Sequence, residues 1–213
     1  MLPGTFQVPP AFDLGATFAF ALTGALAGIK RGYDIVGVFF LALVSSIGGG
    51  LIRDGVFLPG QNATPLLTDP RYIEVIVVAT VAGALFGGHV KRFHRLIAVI
   101  DALGLGAYAA FGTQKALHVG LAVPAAILIG VINASGGGLL RDIITREEPL
   151  VFKPGQFYVL TALAGAVTFV FCSITLDLDA TPAAIAAVAV TFIFRILTIV
   201  FNWRTAPVSA LTT

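Results

Sequence analysis

Gly48-Gly49-Gly50-Leu51-Ile52-Arg53-Asp54 and Gly136-Gly137-Gly138-Leu139-Leu140-Arg141-Asp142 are two copies of one motif, set 88 residues apart. Outward from the motif, the same offset carries Asp13 onto Asp101 and Gly24 onto Gly112, with no gap over about 40 residues. After a short gap, Ala82-Gly83-Ala84 matches Ala164-Gly165-Ala166. The chain therefore reads as a duplication, with the motif at the heart of each copy.

The composition names the solvent. Of 213 residues, 57% are hydrophobic and 11% charged, and the mean hydropathy is +0.96. A water-soluble domain carries about 25% charged residues. Seven apolar runs, at 12–29, 34–57, 72–90, 97–117, 119–144, 156–176 and 183–203, are each near the roughly 20 residues that cross a bilayer as a helix. The predicted fold is an all-α polytopic membrane protein. Three helices per copy is an odd number, so the second copy enters the membrane from the opposite side, as an inverted repeat. The expected divisions are 1–93 for the first three-helix repeat, 94–180 for the second, and 181–213 for a seventh helix and tail.

Loop charges set the orientation. Lys30, Arg31, Lys91, Arg92, Arg95, Arg141, Arg146, Lys153 and Arg204 fall on one side, and Arg53, Arg71 and Lys115 on the other. This places the N-terminus outside and the C-terminus in the cytoplasm, with the chain in the inner (plasma) membrane. Lys91, Arg92 and Arg95, flanked by His89 and His94, read as positive-inside charge and a contact for anionic lipid. The sparse basic residues make no nucleic-acid footprint. The one cysteine, Cys172, reads as a small core residue. There is no nucleophile–base pair, ligand cluster or phosphate loop of an enzyme, and no cofactor is implied.

The motif carries the chemistry. Glycine costs about 1 kcal/mol relative to alanine inside a helix, so Gly48, Gly49 and Gly50, and Gly136, Gly137 and Gly138, are expected to bend or unwind helices 2 and 5. Unwound backbone survives in hydrocarbon only where protein or water satisfies it. Ser45, Ser46, Asn133 and Ser135 beside these breaks are candidate oxygen ligands for a partly dehydrated ion. Serine more commonly bonds its own helix, and triple glycine also serves close helix packing. Arg53–Asp54 and Arg141–Asp142 are the candidate pore charge pairs, with both arginines expected to be neutralised by carboxylates or carbonyls. Asp13 and Asp101 read as helix-start carboxylates that favour the helix dipole, or as vestibule charges attracting cations. Arg195, inside helix 7, should face protein or snorkel.

The doubled motif and the seven-helix plan resemble the prokaryotic TRIC proteins, relatives of the trimeric intracellular cation channels of animal endoplasmic reticulum. The resemblance covers nearly the whole chain. It implies a homotrimer with a potassium-permeable pore in each subunit, lined by helices 2 and 5 kinked at Gly48–Gly50 and Gly136–Gly138. The lipid-binding basic motif of the animal proteins has no residue-by-residue match here. The same bacterial family is also labelled as glycine transporters. Two further readings thus stand beside a monovalent cation channel: a secondary transporter of a small zwitterion such as glycine, and a non-conducting membrane scaffold.

Overall fold

The computed structural model describes residues 8–58, 68–87, 94–153 and 157–203, with the side chains of 94–97 left aside. The described residues form seven α-helices: α1 (Pro10–Lys30), α2 (Ile35–Ile52), α3 (Arg71–Phe86), α4 (His94–His118), α5 (Val123–Ile144), α6 (Tyr158–Val170) and α7 (Ala180–Val200). α2 and α6 each continue into one π-helical turn, Arg53–Phe57 and Phe171–Thr175. Five of these, α1, α2, α5, α6 and α7, are long and apolar enough to cross a membrane when the π turns are included. α3 covers 16 described residues, and α4 carries Asp101 and Lys115 within its length.

Large apolar side chains cover the outside. Ile73, Val77, Val78, Val81 and Leu85 stand exposed along α3, Ile35, Val36 and Phe40 on α2, and Ile193 and Val200 on α7. Water does not tolerate such a surface on a monomer, whereas hydrocarbon is its natural neighbour. The chain is a multi-pass membrane protein.

α1 and α4 are the two central helices. α1 packs against α2, α3 and α4, and α4 packs against α5, α6 and α7. α2 meets α5 across the middle. The core where the halves join contains Phe20, Leu105, Tyr108, Ala134 and Ala162. The Phe20 and Tyr108 rings stack there, with centroids 5.3 Å apart and planes within 6°. These two residues stand at the 88-residue offset. α7 is packed into the bundle: Ala180, Ala183, Ala184 and Ala187 pack with Ala110 of α4 and Phe169 of α6. Cys172 is buried in that same cluster.

The turns repeat as well. α1 and α4 end in a glycine with positive φ, Gly32 at 77° and Gly120 at 84°, where a side chain would be strained. Gly32 N donates to Ile29 O and Gly120 N to Leu117 O, each at 3.0 Å. At this same end of α1, Glu147 in the α5–α6 loop receives Lys30 Nζ at 3.1 Å and Arg31 Nη2 at 3.2 Å. The α1–α2 and α5–α6 loops therefore lie at one end of the bundle, as the loop-charge reading requires.

Candidate functional site: a glycine crossing between two charge clusters

α2 and α5 touch backbone to backbone at their glycines. A Cβ built on Gly49 would strike the Asn133 carbonyl oxygen, and one built on Gly137 would strike the Ser45 carbonyl oxygen. A Cβ on Gly136 would lie 2.9 Å from Gly49 Cα. Only hydrogen in place of a side chain permits this approach. The unwinding expected at these glycines is not there: both helices run without a break through Gly48–Gly50 and Gly136–Gly138. The α-helical propensity lost at glycine is offset by the packing that its missing Cβ allows. The departure from α-helix comes later and on one side only, in the π turn that begins at Arg53.

Each arginine is buried and paired. Arg53, 2% exposed, grips Asp54 with two bonds, Nε to Oδ1 at 2.7 Å and Nη2 to Oδ2 at 2.8 Å. Its Nη1 donates to Asn133 Oδ1 at 3.0 Å, and its guanidinium lies 5.4 Å from the centroid of the Phe111 ring. Lys115 Nζ adds a second cation on Asp54 Oδ1 at 2.9 Å. Arg141, also buried, donates from Nε to Asp142 Oδ1 at 3.0 Å, and from Nη1 to Thr23 Oγ1 at 3.1 Å and Asp101 Oδ1 at 3.4 Å. Asp142 Oδ2 also accepts Leu150 N at 3.2 Å. Both arginines are neutralised, as expected, and the motif aspartates hold them.

The other sequence candidates divide. Ser45 Oγ donates to Leu41 O at 2.6 Å, Ser46 Oγ to Leu43 O at 3.0 Å and Ser135 Oγ to Val131 O at 2.7 Å. These three hydroxyls are spent on their own helices, which is the commoner role of serine in a membrane helix. Asn133 is different. Besides accepting from Arg53, its Nδ2 donates to Tyr108 O at 2.8 Å, so it ties α5 to both α2 and α4.

Asp13 and Asp101 are not surface vestibule charges, being 4% and 5% exposed. Asp13 sits in the first turn of α1 and accepts from Tyr72 Oη of α3. Asp101 does not start its helix: α4 begins at His94, and Asp101, well inside it, pairs with Arg141. Lys91, Arg92 and His89 lie outside the described residues, as does the side chain of Arg95. Arg195 faces protein, 4% exposed, with its guanidinium 5.2 Å from the Tyr158 ring centroid.

Sequence reasoning missed Thr23, Phe111, Tyr72, Tyr108 and the inward reach of Lys115. Tyr108 Oη donates to Ser46 O at 2.6 Å and shares a hydrogen bond with Thr17 Oγ1 at 2.9 Å. Thr23 and Phe111 stand at the 88-residue offset, and each meets the arginine of the other half. The offset that exposed the motif would have found them, had it been applied to residues of unlike chemistry.

A family model described as glycine transporter matches residues 10–89 and 98–173. The chain belongs to this family. A UPF0126 membrane protein of Deinococcus radiodurans is 35% identical over 155 residues, covering 72% of this chain and 71% of the relative. A UPF0126 membrane protein of Vibrio cholerae is 32% identical over 204 residues, covering 94% and 82%. The inner membrane protein YadS of Escherichia coli is 28% identical over 188 residues, covering 88% and 89%. Among solved structures, the TRIC trimeric intracellular cation channel orthologue from Rhodobacter sphaeroides matches with a TM-score of 0.82 and 30% identity, over 90% of this chain and 96% of that one. A TRIC cation channel studied for the structural basis of conductance matches at 0.81 and 31%, over 94% and 97%. The likeness to prokaryotic TRIC proteins read from the doubled motif thus extends to the whole fold.

Proposed function

We propose that this protein is a monovalent cation channel that passes potassium, with a pore inside each subunit of a homotrimer. The likeness to TRIC cation channels across nine-tenths of the chain carries this reading. The two three-helix halves, 1–93 and 94–180, act as an inverted repeat, and 181–213 adds α7. The chain sits in the inner membrane with its N-terminus outside, and the basic Lys91, Arg92 and Arg95 meet anionic lipid.

The ion path runs beside α2 and α5. Their backbones are in contact at Gly49 and Gly136–Gly137, so conduction requires the two helices to bend and part there. Asn133 and the carbonyls around Ser45 and Asn133 then supply oxygen to the ion, with Ser46 and Ser135 nearby. Arg53–Asp54 and Arg141–Asp142 flank the crossing as neutralised pairs, which lowers the barrier that a bare arginine would raise against a cation.

The test is recording from purified protein in planar bilayers under a potassium chloride gradient. Discrete openings that reverse near the potassium equilibrium potential support the channel. The family description favours a second reading, a transporter of glycine. Electrical silence in a folded preparation, with saturable uptake of labelled glycine into proteoliposomes, would replace the channel with that reading.

A further inference from the structure

Arg195 belongs to α7, outside both halves, and nothing above gives it a role. A membrane protein does not bury an arginine without use, because the charge is expensive there. Its guanidinium stacks over Tyr158, the first residue of α6. Tyr158 Oη is buried and has no hydrogen-bond partner among the described residues. It reaches the glycine motif itself, 3.1 Å from where a Cβ on Gly138 would stand. The same Cβ position on Gly138 lies 3.7 Å from Arg141 Nη2, so the Tyr158 hydroxyl and the Arg141 guanidinium converge on one glycine. Tyr158 is thus the hub through which α7 joins the second cluster.

Counting charges shows why. The first cluster pairs two cations, Arg53 and Lys115, with the one carboxylate of Asp54, while the buried Asp13 takes the Tyr72 hydroxyl. The second holds two carboxylates, Asp101 and Asp142, and Arg141 is the one cation ion-paired with them among the described residues. The residue equivalent to Lys115 at the 88-residue offset is Ala27. Among the described residues this sets two buried carboxylates against one ion-paired guanidinium, and an uncompensated buried charge is costly.

We propose that Arg195 is the second cation of that cluster: α7, outside the repeat, supplies to Asp101 and Tyr158 the positive charge that Lys115 supplies to Asp54 in the first half. Arg195 is a positioning residue for the ion path. Its bearing on conduction rests on the channel reading; its role in the charge balance does not.

The experiment is a double-mutant cycle on the full-length purified protein, with Arg195→Gln, Asp101→Asn, the double variant, Arg195→Lys and Arg195→Met. Thermal unfolding in detergent reads the balance whether or not the protein conducts. Arg195→Gln should lower Tm by about 5–10 °C, and adding Asp101→Asn should restore at least half of that loss. Arg195→Lys should stay closer to wild type than Arg195→Met, and in bilayers it should retain the wild-type reversal potential while Arg195→Met shifts it. Additive losses in the double variant, or Arg195→Met as stable as Arg195→Lys, would overturn the proposal. If wild type itself passes no current, the channel reading fails while the thermal cycle still decides the charge balance.

Discussion

Arg53 and Arg141 occupy equivalent places in the two halves, yet their surroundings solve the same problem differently. Both must keep a guanidinium out of water. Arg53 takes both oxygens of one carboxylate, an amide oxygen and the face of Phe111. Arg141 takes single oxygens from two carboxylates and the hydroxyl of Thr23. Positions 23 and 111 correspond, so one side of the pocket is a hydroxyl in one half and an aromatic ring in the other. The duplicated motif fixes where the arginine goes, and the unduplicated residues fix how tightly it is held. The first cluster hangs on one carboxylate, Asp54, shared between two cations. The second distributes its charge over Asp101 and Asp142.

That difference is sharpest when a carboxylate is removed. Asp54→Asn strands both Arg53 and Lys115, and breaking a buried pair of this kind costs about 3–5 kcal/mol. Asp142→Asn leaves Arg141 with Asp101 and Thr23, so its loss should be about half as large. Thermal unfolding of the two purified variants measures the gap, and equal losses would mean the clusters are alike in spite of their contacts.

The glycines should give the opposite result, because there the halves are alike. Gly49→Ala and Gly137→Ala each push a methyl into a carbonyl oxygen of the facing helix. Each should cost about 2–3 kcal/mol, at the upper end of overpacking. Gly50→Ala is the control. Its Cβ meets nothing closer than Arg53 Nη2 at 3.7 Å, and the gain in helix propensity should leave it neutral or up to about 1 kcal/mol more stable. A tolerated Gly137→Ala beside a damaging Gly49→Ala would show that the crossing is not symmetric.

A smaller contrast lies between Ser45 and Asn133, the pair that equivalent positions make unlike. Asn133→Ala removes an acceptor for Arg53 and a donor to Tyr108 O, at a cost of about 1–3 kcal/mol. Ser45→Ala removes one bond within its own helix and should change stability by less than about 0.5 kcal/mol. Comparable losses from both would mean that Ser45, like Asn133, holds more than its own helix.

The duplication made much of this legible. The apolar runs gave seven helices, and charge in a membrane implied that Arg53 and Arg141 would be paired. Propensity misled at the glycines, because it prices a helix alone, while Gly49 and Gly137 are compensated by a neighbour whose approach no single run reveals. The serines carried two readings, an ion ligand or a bond within their own helix, and Ser45, Ser46 and Ser135 each donate to a carbonyl of their own helix. Asp101 looked like a helix start because the break before it was placed too late. Lys115 was read as a loop charge, and its long stem carries the ammonium back to Asp54, a reach that position along the chain does not encode.

The smallest effect is expected where the halves meet at their basic end. Glu147 binds Lys30 and Arg31 across the α1–α2 and α5–α6 loops. Partial burial works against its charge, but the hydrogen bond from Lys30 and the charges of Lys30 and Arg31 outweigh it and hold the carboxyl below its usual range. A carboxyl with a lowered folded pKa contributes stability above its unfolded pKa and loses it as pH falls through the folded value. The link should therefore be intact at neutral pH and fade below the ordinary range for glutamate. The three side chains are substantially exposed, and solvent screens such pairs, so the loss is a shallow one. Thermal unfolding from pH 7 down to pH 3, roughly spanning the glutamate range, should show wild type and Glu147→Gln converging as acid removes the charge. Curves that stay parallel would mean the two loops are held together by other contacts, such as Tyr33 Oη with Ile144 O, and that the basic end owes nothing to Glu147.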